Sequence, residues 1–205
     1  MAQTHFMVDL ETFGTRSDAA FVTVAAVEFD PKDKNLFDKI EKGDFRDMRS
    51  FVANVDPDQR ATCDKSTIMW WLQQGPEARK SLSGNTLSER KALEALCRFM
   101  AGEDPTDALS LNLGSTFIPV KDRIVWSRGN SFDFPILSNG FNRQGMVAPW
   151  AFWNTRDART VAKMSPKRVP SRDRLKWFHA HDALHDCYAQ IWEILFAIKS
   201  GRLYV

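Results

Sequence analysis

Residues 5–12 read His-Phe-Met-Val-Asp-Leu-Glu-Thr, an apolar stretch that ends in two acids one residue apart. A run this short and this apolar fits a buried strand, which delivers Asp9 and Glu11 to its end. Successive strand side chains point to opposite faces, so positions i and i+2 share one face. Two carboxylates held side by side raise each other's pKa, a cost that a bound divalent cation removes. An all-oxygen donor set suits Mg²⁺ or Mn²⁺ better than zinc.

Outward from this stretch, residues 14–19 form a turn and Ala20–Phe29 (AFVTVAAVEF) is β-branched and aromatic, a second strand. The turn at 30–34 lets the two pair antiparallel, and Arg49–Val55 continues the meander until Asp56-Pro57-Asp58 ends it. The period then changes to that of helices. Lys65–Leu82 spaces Ile68, Trp71 and Leu72 helically, with Ser66 as its cap, and Ser88–Met100 aligns Leu93, Leu96, Phe99 and Met100. Residues 102–122 read as a long polar connection. Arg123–Ser127 (RIVWS) is a strand, and Phe132–Gln144 is a helix beginning near Asp133 with Pro135 in its first turn. Residues 150–153 are expected as a short strand, 155–162 as a short helix and 164–176 as a basic loop. Asp182–Lys199 is the strongest helix, with Ala183, Cys187, Ile191, Ile194, Leu195 and Ile198 on one face and Gly201 as a stop. This order predicts an α/β fold over 1–205, a single domain whose mixed central sheet has three antiparallel N-terminal strands and flanking helices.

Composition agrees: of 205 residues 43% are apolar and 26% charged, the profile of a soluble globular protein. The three cysteines, without a CxxC pair, give no support to a disulfide framework or zinc site and fit reduced thiols in the cytoplasm. Neither a signal peptide nor a membrane span is expected. The net charge of +2 says little, but Arg156–Lys176 holds eight Lys or Arg against Asp157 and Asp173, a stretch able to contact a polyanion.

Two further acidic signals follow the first. Asp133 stands after the strand ending at Ser127, and His181-Asp182-Ala183-Leu184-His185-Asp186 opens the last helix. Taken singly, the first motif is a solvated strand end, the second an N-cap and the third a helix start rich in acids. In this order, D-x-E, then Asp, then H-x-A-x-x-D, they resemble the DnaQ-like (DEDD) exonuclease superfamily in its His subtype, on a ribonuclease H-like fold, from about His5 to Leu195. The sister subtype carries Tyr four residues before the last Asp, a position held here by Asp182. Trp70-Trp71, Trp126–Asn130 and Phe152–Asp157 are similar to the group of phage exodeoxyribonucleases A and small bacterial exoribonucleases.

The resemblance implies a 3′–5′ exonuclease that releases nucleoside 5′-monophosphates from single-stranded DNA or RNA with a free 3′ end. The phage likeness favours DNA, and a phage source would place the protein in the host cytoplasm. Asp9 would bridge two divalent cations, Mg²⁺ or Mn²⁺. Glu11 and Asp186 would complete one metal site and Asp133 the other, with His181 as general base. Thr12 would meet the terminal 3′ hydroxyl through its backbone N–H, and Leu10 and Phe13 would pack on the terminal base or in the core. His179 and His185 are rivals of His181, and Asp182 of Asp186. Asp18, Glu28 and Asp157 read as solvated or capping residues. A non-catalytic nucleic-acid-binding module and a phosphoesterase for small nucleotides remain alternatives. The sequence gives no reading of oligomeric state.

Overall fold

Strand pairing around residues 4–12 organises the molecule. The computed structural model describes residues 3–57, 60–80, 82, 86–103 and 118–201. In chain order they form β1 (Thr4–Thr12), β2 (Phe21–Phe29), α1 (Leu36–Lys42), β3 (Ser50–Val55), α2 (Lys65–Gln73), α3 (Pro76–Lys80) and β4 (Thr86–Leu87), followed by α4 (Glu89–Met100), β5 (Arg123–Ser127), α5 (Asn130–Arg143), β6 (Thr155–Asp157), α6 (Ala158–Met164) and α7 (Ala183–Ser200). The sheet order is β4-β3-β2-β1-β5-β6. β1, β2 and β3 form the expected antiparallel meander, with Asp9 opposite Ala25 and Ala25 opposite Val52. β5 lies parallel to β1, Met7 opposite Trp126, and β6 parallel to β5. The sheet is therefore mixed, and the C-terminal ends of β1 and β5 lie at the same edge.

Alternation along β1 divides the core into two layers. Phe6, Val8 and Leu10 pack with Val24, Phe51 and Val55 against α4 and α5. Met7 packs with Ala25, Val27 and Trp126 against α1, α6 and α7. Asp9 and Glu11, in phase with Met7, fall on the α7 side. On that side the Trp126 indole donates to His5 Nδ1 at 3.0 Å, and burial lowers the His5 pKa to about 4, so this histidine is neutral core. On the other side buried Glu89 accepts from Arg143 and Gln144, tying α4 to α5.

Several expectations about elements change. The helix expected over 65–82 breaks at Gln74-Gly75, because Pro76 lacks an N–H and opens α3 instead. Its cap position is Asp64 rather than Ser66, and the Asp64 carboxylate accepts from the Thr15 backbone N–H. α5 begins at Asn130, so Asp133 lies inside its first turn and Pro135 falls in the second. The strand expected over 150–153 is a 3₁₀ turn at Phe152–Asn154 leading into β6, and α6 starts only at Ala158, capped by Asp157. α1 escapes a pattern reading because Leu36 and Ile40 are its only buried positions. Most of the connection expected over 102–122 lies outside the described residues.

Candidate active site

Strand phase and helix phase bring three acids together. Asp9 and Glu11 come from the end of β1 and Asp186 from the first turn of α7, with one oxygen of each lying within 4.8 Å of the others. Burial pushes the Glu11 pKa up to about 8, with Asp186, Asp182 and Asp133 adding to the rise. Burial also holds Asp9 well above the carboxylate range, reinforced by Asp186, Asp133 and Glu11 and opposed by Gln190, whose amide donates to Asp9 Oδ1 at 2.6 Å. Asp186 is raised by burial against the pull of Arg172.

Asp133 is buried at the start of α5, outside that three-oxygen group, yet close enough to raise both β1 acids. Its own pKa is pushed up to about 7 by burial, with nearby Ser127, backbone N–H groups and Arg159 pulling the other way. The turn that delivers it needs Gly129, whose φ of 113° an L side chain rarely adopts. The Gly129 N–H is held by Asp157 Oδ1 at 3.0 Å, so the capping residue of α6 also fixes the approach to Asp133.

His181 precedes α7 rather than lying on it, because Asp182 is the N-cap. Its φ is 65°, the only positive value for a non-glycine among the described residues. Its backbone N–H donates to Asp186 Oδ2 at 3.1 Å, and its ring meets the Trp70 ring edge-on, centroids 4.8 Å apart. The five-residue spacing thus reflects a turned backbone, not a shared helical bearing. The rivals have other partners. His179 and His185 stack on each other at 5.2 Å, and Asp182 Oδ1 accepts from the Leu184 and His185 N–H groups as a cap. Among the residues expected at the substrate, Leu10 is core on the opposite face, as alternation requires, while Thr12 ends β1 and Phe13 directly follows it. The Thr12 carbonyl accepts the Trp71 indole N–H at 2.9 Å, pinning α2 to the site.

Two residues went unread in the sequence, and Arg172 was read only as part of the basic stretch. Gln190 and Glu193 are buried on the face of α7 that carries Asp186, and Arg172 spans Asp186 and Glu193 with its guanidinium. The signal was present: polar residues at 186, 190 and 193 make an i, i+4, i+7 stripe through the apolar middle of the helix.

An all-carboxylate group, withdrawn from solvent and with pKa values raised by burial and by one another's charge, has the donor chemistry of a Mg²⁺ or Mn²⁺ site. Fold and site define a 3′–5′ exonuclease of the DnaQ-like superfamily. Within it, the chain belongs to the 3′-5′ exoribonuclease Rv2179c-like domain family, whose model matches residues 4–197. It is 30% identical to an exodeoxyribonuclease of Enterobacteria phage T4 over 95% of this chain and 88% of the phage protein. Among solved structures, zinc-bound E. coli exonuclease I with single-stranded DNA superposes with a TM-score of 0.56 at 16% identity, covering 98% of this chain and 40% of that one. Cell-death related nuclease 4 gives 0.60 at 16% identity, covering 98% and 65%. These structures share the fold, and the chain spans only about two fifths of exonuclease I. No helix among the described residues is long and apolar enough to cross a membrane.

Proposed function

We propose that the protein hydrolyses single-stranded nucleic acid from its 3′ end, releasing nucleoside 5′-monophosphates. The observation that carries this reading is the convergence of Asp9, Glu11 and Asp186, with Asp133 beside them and His181 tied to Asp186. Asp9, Glu11, Asp133 and Asp186 would hold two divalent cations, Mg²⁺ or Mn²⁺. Such ions, when bound, acidify a water and stabilise the leaving oxygen. His181 takes the proton from the attacking water as its oxygen bonds to phosphorus and the bond to the penultimate 3′ oxygen breaks. Thr12 offers its backbone N–H to the terminal 3′ hydroxyl and Phe13 its ring to the terminal base.

DNA is the favoured substrate, supported by the likeness to a phage exodeoxyribonuclease. The family model's description makes RNA the alternative. The test is a time course on matched 5′-labelled single-stranded DNA and RNA with Mg²⁺, Mn²⁺ or EDTA, beside Asp9→Ala. A metal-dependent ladder shortening from the 3′ end and absent in the variant is expected, and the faster substrate decides the sugar. Cleavage in EDTA, or undiminished cleavage by Asp9→Ala, overturns the reading. Binding of strands without release of nucleotide would instead leave a non-catalytic binding module.

A further inference from the structure

Of the eight cations between 156 and 176, three are directed elsewhere or stand alone: Arg156 donates to Trp153 and Thr155 carbonyls, Arg174 pairs with Glu41, and Lys176 is exposed. The other five converge. Arg159 and Lys163 of α6, Lys167 and Arg168 of the following loop, and Arg172 line one cavity of about 550 Å³ together with Arg128 from the end of β5. That volume lies within the usual range of ligand sites. The acids on its wall are Asp173, engaged by Ser171, and Glu193, engaged by Arg128 and Arg172. The side chains of Lys163, Lys167 and Arg168 make no ion pair or hydrogen bond among the described residues. A cavity with an excess of four positive charges repels itself, and bound anions relieve that repulsion.

Two features build this site rather than leaving it a solvated loop. Glu193 is buried, and its two oxygens fix the Arg128 and Arg172 guanidiniums on the cavity wall. Arg172 also contacts Asp186, so the cavity and the carboxylates share one residue. Asp186 and Glu193 are seven residues apart on α7, about 10 Å at the rise of a helix, a span that a few nucleotides cover.

We propose that this cavity is a phosphate site that anchors, without regard to sequence, the same strand whose 3′ end reaches the carboxylates. The inference rests on the exonuclease reading above. The shared chemistry is a phosphate, which comes either from the strand's phosphodiesters or from a monoester such as the released nucleotide. Cations drawn from a strand end, a helix and a loop fit several phosphates along a chain better than one.

The experiment compares the wild type with Lys167→Gln/Arg168→Gln, two exposed side chains that touch none of the carboxylates. Binding to a labelled strand of about 12 nucleotides, within the range of single-strand site sizes, is measured in EDTA by anisotropy across a salt series. The variant should bind several-fold more weakly, and its slope of log affinity against log salt should fall by about 1.4, at about 0.7 per lost phosphate contact. With metal, KM for the long strand should rise while kcat and dinucleotide turnover hold. Unchanged strand affinity and salt slope overturn the proposal. So does equal loss on dinucleotide and long strand. Calorimetry with a nucleoside 5′-monophosphate and with inorganic phosphate supplies the other arm: binding lost in the variant while strand binding persists would make the cavity a monoester site and reject the strand. Wild-type turnover reports separately on the exonuclease reading, because the binding arm needs no cleavage.

Discussion

A non-glycine residue at φ 65° is costly, on the order of 1–3 kcal/mol where surroundings must enforce it, and His181 is held there by Asp186 and two tryptophans. The H-x-A-x-x-D spacing in the sequence marked this histidine, but the backbone state was not legible, because only Gly adopts it routinely and a single His does not announce it. His181→Ala should lower kcat by about 10²–10⁴-fold, the usual worth of a general base, and leave the melting temperature near wild type. A loss below tenfold in single-turnover assays would remove the base assignment. Trp70 is 39% exposed and packs edge-on against both the Trp71 and the histidine rings. Trp70→Ala should therefore reduce kcat about tenfold, a cost of about 1.4 kcal/mol in positioning, with KM unchanged. A rise in KM alone would show that Trp70 touches substrate instead.

At the scale of elements, periodicity revealed those that bury a broad stripe and missed those held by something else. α4 and α7 were legible from their apolar spacing, whereas α1 rests on two buried side chains and β6 is three residues at a sheet edge. The polar anchors between elements were equally invisible, since nothing in sequence pairs Glu89 with a residue 54 positions away. That pair allows a clean test. The Arg143 and Glu89 side chains are 15% and 3% exposed, so removing the cation strands a buried carboxylate. Arg143→Met should destabilise by about 3 kcal/mol or more, a drop of roughly 10 °C in melting temperature for a chain of this size. Activity per folded molecule should survive at low temperature, because neither residue belongs to the carboxylate group. A shift within a degree or two would mean that Gln144 and water satisfy Glu89 unaided.

Across the whole molecule, the antiparallel meander could be read because its three strands follow one another in sequence, with only α1 between the second and third, while the placement of β5 beside β1 depends on pairings over a hundred residues of chain, and β6 then adds to β5 at the sheet edge. The same non-local assembly concentrates the acids, and that makes stability depend on pH. Glu11 titrates at about 8 against an ordinary 4.5, and Asp133 at about 7 against 3.8. Between those values the native state keeps protons that the unfolded chain has lost, so these groups make stability fall as pH rises. His5 works in the opposite sense, because its pKa is lowered from 6.5 to about 4, and its contribution rises with pH and is complete by about 6.5. The carboxylates therefore dominate from about pH 6.5 to 8. In EDTA the melting temperature should decline through that window. Saturating Mg²⁺ or Mn²⁺ should remove the decline, since a cation binds the deprotonated acids of the native state alone and stabilises more at pH 8 than at 6.5. Scanning calorimetry at both pH values, with and without metal, measures this directly. A flat or rising melting temperature in EDTA, or an equal metal increment at both values, would show that the four acids do not share one buried charge problem, and the two-cation reading would lose its physical basis.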